Sequence, residues 1–131
     1  MSKFWIIQAC FILAFGVSFA QQEVTIIFHL ELPKTKPPDN IVTHSGYTLS
    51  YNSGYNIANW VAYELTAEET VPVVKRNDKF IPDPLLSSGP VSNADYKGSG
   101  YDRGHLAPSA DMCYSYQTMA ESFYLSNMAP Q

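Results

Sequence analysis

Residues 99–112 read SGYDRGHLAPSADM, and residues 122–131 read SFYLSNMAPQ. Within the first stretch, residues 101–105 place an acid, a guanidinium and an imidazole side by side. Side chains alternate between the two faces of an extended strand. We therefore expect Arg103 and His105 to project from one face of a strand, and Asp102 from the other.

This arrangement suits the hydrolysis of phosphodiester bonds. A neutral imidazole, here His105, can take a proton from water near neutral pH. The guanidinium of Arg103 can hold phosphate oxygens in a bidentate fork. Gly104 would let the substrate backbone approach closely, and Asp102 would orient its own loop. On these residues alone, a solvated charged loop with one histidine is the alternative.

Two further residues are candidates for the same site. Arg76 lies in an upstream loop and is, with Arg103, one of only two arginines in the chain. Asn127 ends the segment FYLSN, 123–127, which is a strand by composition. If that strand pairs with the DRGH strand, Asn127 faces His105 and can position a water or a phosphate oxygen. A turn-forming asparagine before Met128 is an equally good interpretation from spacing.

Composition bounds the class of protein. The 131 residues are 46% hydrophobic and carry a net charge of −4, which fits one globular domain and not a disordered chain. An acidic chain of this kind is not a polybasic binder, so any contact with nucleic acid has to be local.

The N-terminus is typical of a secretory signal peptide. Lys3 precedes the apolar run at 4–19, and Ser18 and Ala20 are small residues at a cleavage position. We expect residues 1–20 to be removed during export to the periplasm or the medium, leaving no stable membrane association. An uncleaved membrane anchor is the alternative. After cleavage Cys113 is the one remaining cysteine, either a small buried apolar residue or a partner for a cysteine elsewhere.

The rest of the chain is predicted to be rich in strands and loops. Residues 21–43 are interpreted as an N-terminal arm, extended over 23–32, followed by a Pro-rich linker, and the main domain as 44–131. A short helix is predicted at 115–122, with Ser115 as its N-cap. The predicted strands of the main domain are 47–51, 59–66, the DRGH segment and 123–127, with a turn at NSGYN and a proline-punctuated loop from 72 to 90.

Other chemistries have less support. His29, His44 and His105 are scattered and show no spacing typical of a zinc site. The sequence contains no GxSxG nucleophile elbow and no P-loop.

The two quoted blocks resemble the DNA/RNA non-specific endonucleases, a family of secreted bacterial and mitochondrial nucleases. The similarity extends upstream through YTLSYN, NWVAYELT and KRNDKFIPDP, and covers roughly residues 44–131. It implies an α+β fold of the ββα-metal (His-Me finger) type, rich in antiparallel sheet. It also implies a metal-dependent endonuclease that acts on DNA and RNA without preference for sequence or sugar.

The resemblance assigns roles to individual residues. His105 corresponds to the general base that activates water, and Arg103 to the phosphate-binding arginine. Arg76 corresponds to the arginine that stabilises charge on the phosphorane or the leaving group. Asn127 is expected to support the site beside the metal, with Asp102 and Gly104 in supporting roles.

The same resemblance implies one divalent ion, Mg²⁺ or another such as Mn²⁺, held by an asparagine and a shell of water. In the family that asparagine lies on a helix just after the SNMAPQ block, so it is expected beyond Gln131. The sequence is therefore expected to be truncated, with no metal ligand of its own. The alternative to a working endonuclease is a catalytically dead fragment that at most binds nucleic acid. The sequence does not indicate an oligomeric state.

Overall fold

The first three strands form one antiparallel sheet. The computed structural model describes residues 32–35, 40–87 and 91–131. Strand β1 is Asn40–Thr43, β2 is Thr48–Asn52 and β3 is Ile57–Ala62, in the spatial order β1-β2-β3. Val42 pairs with Leu49, and Leu49 with Val61, so β2 lies in the middle.

The central strand β2 carries much of the hydrophobic core. Leu49 and Tyr51 are buried and pack with Val42, Ala107 and Met112. Val61 packs against this cluster from β3, on the face expected from the alternating sequence. β3 begins two residues earlier than predicted and ends at Ala62, so the predicted strand at 59–66 was too long.

The DRGH segment lies in a second, two-stranded sheet. Strand β4 is Arg103–His105 and β5 is Met128–Pro130, and they are antiparallel. Reciprocal backbone hydrogen bonds between Asp102 and Gln131 extend the ladder by one pair. The DRGH segment is therefore a strand, as predicted.

The strand predicted at 123–127 was wrong. Phe123 caps a helix, and a 3₁₀ turn runs from Leu125 to Asn127. Leu125, Ser126 and Asn127 are all buried, so the segment lacks the alternation of a half-exposed strand. Its backbone hydrogen bonds are partly local, such as that from the Asn127 N–H to the Tyr124 carbonyl, and partly to Ile81, whose carbonyl accepts the Leu125 N–H. The strand that pairs with β4 starts at Met128, which lies opposite His105.

The predicted helix at 115–122 is confirmed. Helix α2 is Tyr116–Ser122, and the Ser115 hydroxyl accepts a hydrogen bond from the Thr118 backbone N–H, as an N-cap does. A second helix, α1, Asn93–Tyr96, was not predicted. It is only one turn long and begins with a capping box between Ser92 and Asp95.

The N-terminal predictions meet the described structure only in part. The sheet begins at Asn40, four residues before the expected start of the domain at residue 44. The expected signal peptide at 1–20 and the extended stretch at 23–32 lie, apart from residue 32, outside the described residues. Among the described residues, no helix has both the length and the apolar character needed to cross a membrane.

Candidate functional site

Two phenylalanine rings form the platform of the candidate site. Phe80 and Phe123 meet edge to face, with ring centroids 5.0 Å apart. His105 contacts both rings, at 5.9 Å from Phe80 and 4.8 Å from Phe123. Phe123 is fully buried at the end of α2, so the platform is anchored in the core.

Each phenylalanine also carries an arginine. The guanidinium carbon of Arg103 lies 4.2 Å from the centroid of the Phe80 ring, and that of Arg76 lies 5.0 Å from the centroid of the Phe123 ring. A guanidinium on an aromatic face is attracted by the ring quadrupole and keeps its N–H edge free for other partners. The structure thus brings Arg76, Arg103 and His105 together on one pair of rings.

Arg76 is held in place by hydrogen bonds as well as by stacking. Its Nε donates to the Asp78 carboxylate at 2.6 Å, and its Nη1 donates to the Ser109 hydroxyl at 2.7 Å. Ser109 is buried in the segment that follows β4, so this bond connects the loop that carries Arg76 to that segment. The guanidinium is therefore preorganised next to His105.

Among the described residues, Arg103 has one side-chain hydrogen-bond partner. Its Nη1 donates to the Asn93 side-chain oxygen at 2.7 Å, at the start of α1. Both Arg103 and His105 contact Phe80, which places the two side chains on one face of β4, as the alternation predicted.

His105 is half-buried, and its environment favours the neutral ring. Burial, followed by the positive charge of Arg76, lowers the pKa of His105 below its usual 6.5, and the Asp78 carboxylate opposes the shift. Its Nε2 atom is enclosed and has no hydrogen-bond partner among the described residues. The imidazole is therefore available as a proton acceptor at and below neutral pH.

The side chain of Asn127 is hydrogen-bonded to the backbone of Ala107, two residues after His105. Its side-chain oxygen accepts from the Ala107 N–H, and its amide nitrogen donates to the Ala107 and Ser122 carbonyls. Both amide hydrogens are thus used by backbone groups, and the residue is fully buried. The sequence analysis considered an amide that faces His105 from a paired strand, or a turn-forming asparagine. The structure shows Asn127 at the end of a 3₁₀ turn.

The two supporting residues of the motif also have clear positions. Asp102 is exposed, and its backbone pairs with Gln131 at the end of the β4–β5 ladder. Gly104 is buried, and a Cβ atom there would collide with the side chain of Gln131. The close approach that requires glycine in this structure is therefore that of Gln131.

Sequence reasoning missed the platform itself. Phe80 follows Arg76 by four residues, and Phe123 lies in a run that its composition assigned to a strand. Neither phenylalanine belongs to a recognisable chemical motif. In a sequence, a phenylalanine that supports charged side chains cannot be distinguished from one that only packs in the core. The weak signal available was the presence of Phe80 in the upstream segment that resembles the family.

The described residues do not by themselves fit a metal ion. Among them, no group of three or more His, Cys, Asp or Glu side chains is placed to hold one. The side-chain oxygen of Asn127 already accepts the Ala107 N–H.

A comparison with protein families identifies the chain. Residues 31–131 match the family model described as DNA/RNA non-specific endonuclease. The chain belongs to this family. Its fold is accordingly of the α+β, ββα-metal type that the sequence predicted, a class of nucleases that uses a divalent metal ion.

Individual relatives agree with this assignment. A nuclease of Nostoc sp. is 42% identical over 102 residues, which cover 76% of this chain and 37% of the relative. The mitochondrial nuclease EXOG of Mus musculus is 38% identical over 90 residues, covering 67% of this chain and 24% of the relative. A crystal structure of an EndoG/EndoGI complex superimposes with a TM-score of 0.66 at 36% identity, covering 76% of this chain and 41% of that one.

The chain spans only part of these proteins. Its matched region covers between 24% and 41% of their lengths. The matched relatives therefore have long segments that the chain does not span.

Proposed function

We propose that the whole protein is an endonuclease that hydrolyses phosphodiester bonds of DNA and RNA with little preference for sequence or sugar. The observation that carries the proposal is the position of His105 between two arginines on the Phe80–Phe123 platform. A neutral imidazole flanked by two fixed cations suits the activation of water next to a bound phosphate.

The geometry favours one nitrogen of His105 as the base. Nε2 is enclosed and has no hydrogen-bond partner within the described part of the chain, and the imidazole packs against the Phe80 and Phe123 rings. An N–H can point at an aromatic face, whereas a lone pair there would be repelled by the electron-rich ring. We therefore assign the proton to Nε2, which leaves the lone pair of Nδ1 to take a proton from the attacking water.

The two arginines have different proposed roles. Arg103 is exposed and bonded to one side chain, so its remaining N–H groups can bind the oxygens of the scissile phosphate. Arg76 is fixed by Asp78 and Ser109, so it is suited to stabilise the charge that develops on the phosphorane or the leaving oxygen. Asn127 acts as a positioning residue, through the backbone of Ala107 two residues after His105.

The cofactor and the location complete the proposal. The family's use of a divalent ion, together with the hard oxygen chemistry of phosphate, supports Mg²⁺ or Mn²⁺ as the ion, which would help to neutralise the leaving oxygen. The apolar run at 4–19 supports export through a signal peptide, without stable membrane association afterwards. Because the chain has a net charge of −4, we expect affinity for nucleic acid to be modest and salt-sensitive.

The test is cleavage of a supercoiled plasmid and of a structured RNA by the whole protein. We expect both to be cut when Mg²⁺ is present, and the His105→Ala variant to lose at least about two orders of magnitude in rate, as expected for removal of a general base. Arg76→Ala and Arg103→Ala should also be impaired, whereas the neighbouring Lys75→Ala variant controls for loss of surface charge.

Two results would count against the proposal. Undiminished cleavage by His105→Ala would exclude His105 as the base. Binding of nucleic acid without cleavage, in the presence or absence of divalent ions, would support the alternative of a protein that only binds nucleic acid.

A further inference from the structure

A cavity lined by tyrosines lies next to the Arg103 side of the candidate site. Its volume is about 280 Å³, and Tyr55, Tyr96 and Tyr101 are among its lining residues. Tyr55 comes from the turn between β2 and β3, Tyr96 from the end of α1, and Tyr101 from the residues just before β4. Three separate segments thus contribute one aromatic ring each to the same cavity.

This cavity continues towards the proposed phosphate-binding arginine. A neighbouring cavity of about 310 Å³ is lined by Lys97 and Arg103, and shares Tyr96 and Tyr101 with the first. Pro130, which lines the first cavity, pairs with Arg103 across the β4–β5 ladder. The tyrosine cavity is therefore adjacent to the cavity that contains the Arg103 guanidinium.

The two cavities differ in charge. The one with Lys97 and Arg103 is also lined by Asp102, so its two cations outnumber its one carboxylate and it suits a phosphate better. No lysine or arginine is among the described residues that line the tyrosine cavity, and Asp95 contributes a carboxylate there. An anion is therefore disfavoured in the tyrosine cavity, whereas a neutral, planar, partly polar ring is well suited to it.

We propose that the cavity between Tyr55, Tyr96 and Tyr101 is a base-stacking subsite, which takes one nucleobase of the strand whose phosphate is bound at Arg103. This inference rests on the proposed function and adds to it how the substrate strand is held. Any base can occupy the subsite, because every base has a π-face and stacking does not depend on base-edge hydrogen bonds.

The exposure of the rings supports a binding role. Tyr55 is 82% exposed and Tyr101 is 61% exposed, so neither contributes a buried core contact in the described structure. Gly98 and Gly100, with φ of 76° and 84°, shape the loop that presents Tyr101. Backbone in this left-handed region is strained for most side chains but not for glycine. Replacing Tyr101 or Tyr55 should therefore change binding without unfolding the chain.

The subsite predicts a preference among substrates. A base in the cavity has to leave the stack of a duplex, which costs free energy that a single strand does not incur. We therefore expect single-stranded DNA and unpaired RNA to bind more tightly than a duplex of the same length.

The experiment measures binding of a fluorescein-labelled oligothymidylate by fluorescence anisotropy. The whole protein is used in the His105→Ala background, so that the strand is not cut. Tyr101→Ala and Tyr55→Ala should each weaken binding about fivefold or more, the lower end of what stacking on one aromatic ring contributes. Tyr101→Phe should bind like the parent, because it keeps the ring and loses only the hydroxyl. Tyr116→Ala is the matched control, since Tyr116 is 85% exposed and does not line the cavity.

An abasic sugar–phosphate chain of the same length separates the subsite from the phosphate site. It should bind equally to the parent and to Tyr101→Ala, while Arg103→Ala should weaken both ligands. If Tyr101→Ala binds oligothymidylate as well as Tyr116→Ala does, the subsite is excluded while the proposed function stands. If Arg103→Ala affects neither ligand, or if the His105→Ala background still cuts, the proposed function itself fails.

Discussion

At the scale of single residues, the site depends on what surrounds the imidazole of His105. The ring is in contact with Phe80 and Phe123, each of which also carries an arginine. Burial and the charge of Arg76 both disfavour the imidazolium, so the pKa of His105 is lowered. A base with a lowered pKa stays neutral under mildly acidic conditions.

The charges of Arg76 and Asp78 should move the pKa of His105 in opposite directions. Arg76→Gln removes a positive charge and should raise the pKa, whereas Asp78→Asn removes a negative charge and should lower it further. The measurement is the NMR titration of the His105 ring protons in each variant. An unchanged pKa of His105 in both variants would show that burial alone controls it.

Sequence reasoning reached the charged members of the site but not their support. Arg76, Arg103 and His105 were predicted because their side chains carry recognisable chemistry. Phe80 and Phe123 were not, since their function depends on three-dimensional contacts that no local pattern encodes. Asn127 was identified from the family motif, but its expected neighbour was wrong because its segment is a 3₁₀ turn and not a strand.

At the scale of elements, the site is assembled where α2, the 3₁₀ turn and the β4–β5 ladder meet. The side chain of Asn127 connects these elements, since it bonds to Ser122 at the end of α2 and to Ala107 just beyond β4. It thereby fixes the distance between the helix that carries Phe123 and the strand that carries His105. Asn127 is thus a structural link that positions the segment following β4.

Removing this link should destabilise the protein. Asn127→Ala would leave the Ala107 N–H and two carbonyls buried without partners, and each such group costs about 1–3 kcal/mol. We expect the free energy of unfolding to fall by about 3 kcal/mol, measured by urea denaturation. Asn59→Ala serves as the control, because Asn59 is exposed and its bond to Asn52 is at the surface, so its effect should be below about 1 kcal/mol. Equal stability of the two variants would contradict the structural role.

The elements differ in how well the sequence predicted them. The α2 helix has a serine N-cap, and this local signal indicated where it begins. The segment 123–127 has the composition of a strand. However, Leu125, Ser126 and Asn127 are all buried, and most of the backbone N–H groups bond to carbonyls three residues earlier. The residues of this segment are buried because the Ile81 segment and α2 lie against them. Such long-range contacts cannot be predicted from the composition of the segment. β1 was not predicted, because its residues were assigned to the Pro-rich linker.

At the scale of the whole molecule, a buried polar cluster joins distant parts of the chain. His44 Nε2 lies 2.9 Å from an Asp83 carboxylate oxygen, and Ser126 donates to that oxygen. These contacts connect the β1–β2 turn, the central loop and the 3₁₀ turn. Asp83 is 2% exposed, so its charge depends entirely on these partners.

This cluster should make the fold sensitive to acid. Burial acts to raise the pKa of Asp83, but the hydrogen bonds from His44, Ser126 and the Leu85 N–H outweigh it and hold the pKa below its usual 3.8. The stabilisation is therefore fully present above about pH 3.8 and is lost as pH falls through the lower, folded-state pKa.

Urea denaturation as a function of pH checks this expectation. Asp83→Asn should be less stable than the parent at neutral pH and should lack this part of the acid dependence. Asp78→Asn, which alters an exposed carboxylate, should retain it. A parent protein whose stability does not change between neutral pH and pH values below 3.8 would contradict the proposed role of the cluster.

The proposed role of His105 is that of a neutral base whose pKa is lowered by its surroundings. The pH dependence of kcat/KM for cleavage by the whole protein, compared with the NMR titration of His105, tests this role. We expect activity to fall on the acid side with a midpoint below 6.5, equal to the pKa of His105, and Asp78→Asn to move both to lower pH. An acid limb that does not follow the titration of His105 in the parent and in this variant would contradict this role.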